Sequence, residues 1–72
     1  MTINEIAICS TGKYWDVVAL RDGFAASHEP IWCETKSEAV CEGRKLFNAT
    51  PSAKRLIVEG VRDRVFTEIR SR

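Results

Sequence analysis

The stretch Thr35-Lys36-Ser37-Glu38 decides the fold of this chain, because it has the form of a helix start. A threonine followed three residues later by a glutamate can satisfy two backbone donors of the first turn reciprocally. Asn48 suits a left-handed terminator and Pro51 cannot continue a helix, so the pattern predicts a helix over residues 36–47. Cys41 would lie on its outer side. The opposite stripe, which should face a sheet, consists of Ala39, Val40, Gly43, Leu46 and Phe47.

The segment before this helix has the pattern of a β-sheet. Apolar side chains at a two-residue period in residues 3–9 and strand-forming residues in 14–20 predict two strands. Asp22-Gly23 is a preferred pair for a two-residue hairpin, so residues 24–27 should run back antiparallel to the second strand.

The returning strand should be irregular. Pro30 cannot donate to a ladder, so residues 31–33 should resume the strand at an edge or a bulge. In the register that a two-residue hairpin imposes, Ala19 would face Ala26 and Val17 would face His28.

The segment after the helix predicts a closing hairpin. Residues 56–58 form a short apolar run typical of a strand inside a sheet, residues 60–63 should turn, and residues 65–70 alternate as a final strand. The order β-β-β-α-β-β predicts a single small α+β domain over residues 1–72. We expect an antiparallel sheet of four to five strands with one helix packed on one face.

The composition is that of a soluble globular chain. Its 72 residues are 44% hydrophobic and 29% charged, and no apolar run approaches the roughly 18 residues of a membrane span. The N-terminal residues lack the pattern of a secretion signal, which favours a cytoplasmic location. The cysteines show no Cys-x-x-Cys spacing and should be reduced thiols; they are Cys9, Cys33 and Cys41.

The small net charge of +1 hides an asymmetry along the chain. Up to Gly43 there are three basic residues against seven acidic ones, and from Arg44 onward eight against three. Two halves with net charges of opposite sign can indicate self-complementarity, a basic surface for an acidic partner, or charges that compensate each other within the fold.

The chain offers no recognisable catalytic or metal-binding set. His28 and Cys33 are base and nucleophile types, but their spacing establishes neither hydrogen-bond reach nor a third orienting group. Gly12-Lys13 lacks the upstream glycine and the following Ser or Thr of a phosphate loop. We therefore expect no enzyme activity, no cofactor, no metal ion and no small-molecule ligand.

The residues best suited to binding a partner are an aromatic side chain and four arginines. Trp32 follows an edge-strand proline and could be partly exposed, and exposed aromatics together with arginine are common at the energetic centre of interfaces. Arginine can also hold carboxylates or phosphates by bidentate pairing. Ordinary solubilising charge is the alternative reading for the four arginines, which are Arg62, Arg64, Arg70 and Arg72.

Short motifs give the chain two resemblances. The Trp15-x-Val17 strand, the Thr35-Lys36-x-Glu38-Ala39 helix start and a closing hairpin near Val58-Glu59-Gly60 resemble a group of short bacterial domains of unknown function. The part from Gly12 to Phe47 also resembles AP2-like and integrase-arm DNA-binding domains, in which a helix braces a three-stranded DNA-reading sheet. That second resemblance implies a basic sheet face, whereas these strands are mainly acidic.

These observations favour a small, non-enzymatic protein-interaction module of bacterial or phage origin. We expect the partner to be a protein, and a second copy of the chain in a homodimer is one form of this expectation. We expect no membrane partner. The alternative is a nucleic-acid-binding protein that uses the basic C-terminal half of the chain.

Overall fold

The computed structural model describes residues 2–26 and 29–72, and it has the predicted α+β architecture, with one helix on one face of a sheet. The chain order is β-β-β-β-α-β-β. The elements are β1 (Glu5–Ser10), β2 (Trp15–Arg21), β3 (Phe24–Ala25), β4 (Ile31–Cys33), α1 (Lys36–Ala49), β5 (Arg55–Glu59) and β6 (Phe66–Ser71).

The helix begins as the sequence predicts and ends differently. The backbone N–H of Glu38 donates to Oγ1 of Thr35 at 3.1 Å, which is one half of the expected reciprocal capping. The helix then continues to Ala49, and Asn48 is not its left-handed terminator. Thr50 ends it instead, with the non-helical backbone angles φ −123° and ψ 82°; its N–H donates to the Phe47 carbonyl and its hydroxyl donates to the Leu46 carbonyl.

The sheet is mixed, and the prediction of an antiparallel sheet was wrong on this point. Its order is β3-β2-β1-β5-β6, with β4 also paired to β2, and β1 runs parallel to β5. The reason is topological. Because β4 and β1 are both antiparallel to β2, the helix connects β4 to β5 as a crossover between strands of one direction.

The hairpin after β2 has the predicted register. Asp22 and Gly23 both have positive φ, 52° and 84°, as a type I′ turn requires. Arg21 lies opposite Phe24, and the N–H of Ala26 donates to the Ala19 carbonyl at 2.8 Å, which confirms the expected pairing of those alanines.

The returning strand is divided into two short strands, which raises the strand number to six. Its second part, β4, follows Pro30 and pairs with the same edge of β2, so that Val17 lies opposite Ile31. The predicted partner of Val17, His28, lies outside the described residues, as does Ser27.

The core lies between α1 and the sheet. The predicted helix stripe is confirmed: Ala39, Gly43 and Phe47 are buried, and Val40 and Leu46 are partly buried beside them. Cys41 is exposed on the outer side. The buried sheet residues beneath the helix are Ile6, Ile8, Trp15, Val17, Ala19, Cys33, Leu56 and Val58.

Gly43 lies where the helix approaches the sheet closely. A Cβ atom at this position would lie 2.9 Å from Cδ1 of Ile8 and 3.4 Å from Cδ1 of Leu56. Both neighbours are fully buried, so neither side chain has free space into which it can move.

We predict that Gly43→Val destabilises the fold by about 2 kcal/mol, because overpacking of a filled core costs about 1–3 kcal/mol. Cys41→Val, two residues away on the exposed side of the same helix, should change the free energy of unfolding by less than about 0.5 kcal/mol. Urea unfolding followed by circular dichroism measures both values. Equal midpoints for the two variants would refute the close approach.

Candidate interaction surface

The face of the sheet opposite α1 carries no other layer within residues 2–26 and 29–72; we call it the open face. Side chains alternate along a strand, so residues adjacent to core residues point to this face. Its members, placed by the register of the strands, are Glu5, Ala7, Cys9, Asp16, Val18, Leu20, Ala25, Trp32, Arg55, Ile57, Glu59, Phe66, Glu68 and Ser71, and Tyr14, directly before β2, joins them by packing against Trp32.

Apolar side chains occupy the middle of the open face. Val18, Ala7 and Ile57 lie side by side on three neighbouring strands. Ala7 is almost fully buried although no helix covers it, because larger neighbours shield its methyl group. Val18 and Ile57 are half-buried, and so is Leu20 on the same face. Val18, Ala7 and Ile57 form an apolar band in which Val18 and Ile57 are partly accessible to solvent on either side of the buried Ala7.

Aromatic side chains stand at both ends of the open face. Trp32, on β4, is 54% exposed and packs against Tyr14 with ring centroids 4.8 Å apart and planes tilted by 54°. Phe66, on β6, is 44% exposed and lies opposite Glu59. Large exposed rings around an apolar band are typical of protein-binding surfaces.

Carboxylates outnumber cations on the open face. Arg55 pairs with Glu5 and lies 3.9 Å from Glu68. Arg64 pairs with Glu59 across the β5–β6 turn. Asp16, opposite Trp32, makes no ion pair with any described residue. The face therefore keeps an acidic character, although the β5–β6 segment is rich in arginine.

Glu59 organises one corner of the open face. Its Oε1 accepts from the backbone N–H of Ser10 at 2.8 Å, and its Oε2 forms an ion pair with Nε of Arg64 at 2.9 Å. Arg64 has a positive φ of 59° in a turn that is closed by a hydrogen bond from Gly60 N–H to the Val65 carbonyl. This buried carboxylate thus fastens the β5–β6 turn to β1.

The structure does not bring the sequence-predicted binding residues together. Trp32 lies on the open face on β4. Arg64 pairs with Glu59 of β5, which lies on the same face but three strands away. Arg62 is exposed in the β5–β6 turn. Arg70 lies at the other end of β6 and pairs with Leu56, a residue of the helix-covered face.

Arg72 has a structural role that sequence reasoning did not find. Its guanidinium donates to the carbonyls of Phe47, Thr50 and Ala53 at 2.6 to 3.0 Å, and it stacks over the Phe47 ring at 4.1 Å. A cation at these carbonyls also interacts favourably with the helix dipole. The N–H of Arg72 donates to the Lys54 carbonyl, which extends the contact to the start of β5.

Two residues of the open face, Asp16 and Phe66, were missed as candidates, and Tyr14 was recognised as an aromatic anchor without a place on this face. Alternation along β2 would have placed Tyr14 and Asp16 on the side opposite Trp15 and Val17. For Phe66 the alternation of residues 65–70 does not decide the face, because a bulge near Ile69 places Phe66 and Glu68 on the open face but Arg70 on the helix-covered face.

The three cysteines occupy different environments. Burial raises the pKa of the Cys9 thiol, and the carboxylates of Glu59 and Asp16 raise it further. Burial is also the main cause that raises the pKa of the Cys33 thiol. Cys41 is exposed on the helix. All three are free thiols.

In the part of the chain that the structure describes, no three metal-ligating side chains converge, and no cavity is enclosed. The described helix lacks the length and apolar character of a membrane span.

Comparison with known proteins gives no relative for this chain. No protein family, no curated protein and no solved structure matches it. The resemblances noted from short motifs therefore stay predictions.

We predict that Arg72→Gln lowers the free energy of unfolding by about 1–2 kcal/mol, because several charge-assisted hydrogen bonds to carbonyls are lost. Arg70→Gln, two residues earlier on the same strand, should change it by less than about 0.5 kcal/mol. Chemical denaturation provides both values. A loss in Arg72→Gln no larger than in Arg70→Gln would show that the guanidinium contacts do not hold the fold.

Iodoacetamide should alkylate Cys41 about tenfold faster than Cys9 and Cys33 in the folded chain at pH 8, because the thiolate is the reacting form and needs access. Peptide mapping by mass spectrometry resolves the three rates. In urea the three rates should converge. Comparable rates at Cys33 and Cys41 without denaturant would contradict the described burial.

Proposed function

We propose that this chain is a small, non-enzymatic protein-interaction module that binds a protein partner through its open face. The observation that carries the proposal is the exposure of Trp32 and Phe66, on the two outer strands β4 and β6, beside an apolar band that no described element covers. When a partner removes such an apolar band from water, the free energy of the system falls, and this favours binding.

The exposed rings of Trp32 and Phe66 have the character of interface anchors. Trp32 is held on one side by Tyr14 and keeps about half of its surface exposed, so it loses little conformational freedom when it is covered. Tryptophan is also among the residues most often found at interface hot spots. We therefore assign it the largest share of the binding free energy.

The charge of the open face favours a different protein over a second copy. Two copies packed face to face would bring Asp16, Glu59 and Glu68 near the same carboxylates of the other chain, with only two arginines to offset them. A homodimer through this face is thus the weaker form of the proposal.

We propose a cytosolic location, because a reducing compartment keeps cysteines such as these three as free thiols. A bacterial or phage origin rests on the resemblance to short bacterial domains alone.

Nucleic-acid binding by the basic C-terminal half is the alternative. The fold reduces the charge available for it, since Arg55 and Arg64 pair with carboxylates and Arg72 donates to carbonyls. Titration against duplex and single-stranded oligonucleotides over a salt series tests it. Binding that weakens steeply with salt would favour this alternative over the open-face proposal.

We predict that Trp32→Ala weakens partner capture about tenfold or more, because truncation of a central aromatic anchor removes about 2 kcal/mol or more of binding free energy. The measurement is affinity capture from an extract of the source organism with quantitative mass spectrometry.

The control bait is Phe24→Ala, which removes a 77% exposed ring from the other face of the sheet. Proteins retained by the wild type and by Phe24→Ala, but lost with Trp32→Ala, would support the proposal. An identical set of proteins on all three baits would count against it.

A further inference from the structure

The Tyr14–Trp32 pair on the open face has the features of a cation-binding site. The rings are tilted by 54°, with centroids 4.8 Å apart, and Trp32 remains half exposed. The face of an aromatic ring carries negative potential and attracts ammonium or guanidinium groups. The Nζ atom of Lys13 already lies 5.7 Å from the centre of the Tyr14 ring.

Asp16 supplies a negative charge beside these rings. It lies directly opposite Trp32 in the β2–β4 ladder and opposite Cys9 in the β1–β2 ladder. Neither neighbour carries a positive charge, and Lys13 forms no ion pair with Asp16. The carboxylate is half-buried on the open face and makes no ion pair with any described side chain.

We propose that Tyr14, Trp32 and Asp16 together bind a cationic side chain, arginine above all, of a partner protein whose apolar residues cover Val18 and Ile57. The inference rests on the proposed function, since it names the chemistry that the open face recognises. Charge complementarity identifies the occupant: each of the other carboxylates of this face has an arginine within 4.0 Å, whereas Asp16 has none among the described residues.

Arginine fits this arrangement better than lysine does. A planar guanidinium can stack on an indole ring and still direct N–H groups to a carboxylate, whereas an ammonium group makes a compact point contact. An acidic segment would place like charges against Asp16 and is excluded as the occupant.

The first experiment uses peptides of random sequence displayed on phage and selected on the immobilised chain. Selections on the wild type and on Phe24→Ala should enrich arginine or lysine next to apolar residues, and selection on Trp32→Ala should lose these peptides. Enrichment without a basic preference, still dependent on Trp32, would overturn the cation site and leave the interaction module standing. Absence of any Trp32-dependent enrichment would overturn both.

The second experiment measures the affinity of an enriched peptide by titration calorimetry at low salt. Asp16→Asn should weaken binding about 3- to 10-fold, and replacement of the peptide's arginine by glutamine should weaken it further, because the contact of the guanidinium with the Trp32 ring is lost as well. In Asp16→Asn the replacement of arginine by glutamine should cost about 3- to 10-fold less affinity than in the wild type, which is the signature of a direct pair.

Two variants complete the titration. Glu42→Gln removes one negative charge from the helix, far from the open face, and should leave the affinity unchanged. Lys13→Gln should strengthen binding by about twofold, because a competing cation leaves the Tyr14 ring. Equal losses in Asp16→Asn and Glu42→Gln would mean that only the net charge acts, and this result would overturn the site.

Discussion

The close packing of α1 onto the sheet at Gly43 is the constraint on which the rest of this structure depends. The absence of a side chain lets the helix lie directly over Ile8 and Leu56, so a single helix of 14 residues is enough to bury the core. Close packing of this single helix matters because a small chain buries only about 60% of the surface that its unfolded form exposes. Within residues 2–26 and 29–72, no layer covers the other face of the sheet.

A second consequence concerns the joint between the helix and β5. Residues 50–54 receive contacts from two other segments: Ser52 donates to the Ile3 carbonyl, Lys54 donates to the Asn4 carbonyl, and Arg72 donates to Thr50 and Ala53. This joint holds the helix at the angle at which its stripe meets the sheet. An arginine that resembles a binding residue in the sequence thereby serves the fold.

The parts of the fold that could be predicted depend on local chemistry. The capping threonine Thr35, the Asp22-Gly23 turn and the interruption at Pro30 act through their own backbone geometry, and each appears where the sequence places it. The parallel pairing of β1 with β5 joins residues about fifty positions apart and leaves no local signal. Asn48 failed as a terminator because the hydroxyl and N–H of Thr50 satisfy the helix carbonyls instead.

The candidate surface was only partly predictable for a related reason. Trp32 could be chosen from its type and its place after a proline, but the role of Asp16 follows from its position across the ladder from that ring. The arginines were chosen by type alone, and the structure directs Arg64 and Arg72 to partners within the chain. Side-chain type thus identified one anchor, and strand register was needed to find the others.

The most direct test of this account is the relaxation of side-chain protons by a soluble gadolinium chelate, measured by NMR on the free chain at low concentration. If the helix covers one face and the other is open, the methyl groups of Val18 and Ile57 and the Trp32 indole should relax strongly. The methyl groups of Ile8 and Leu56 should be protected. Equal protection of Val18, Ile57 and Ile8 would show that the open face is covered in the free chain and would contradict the account.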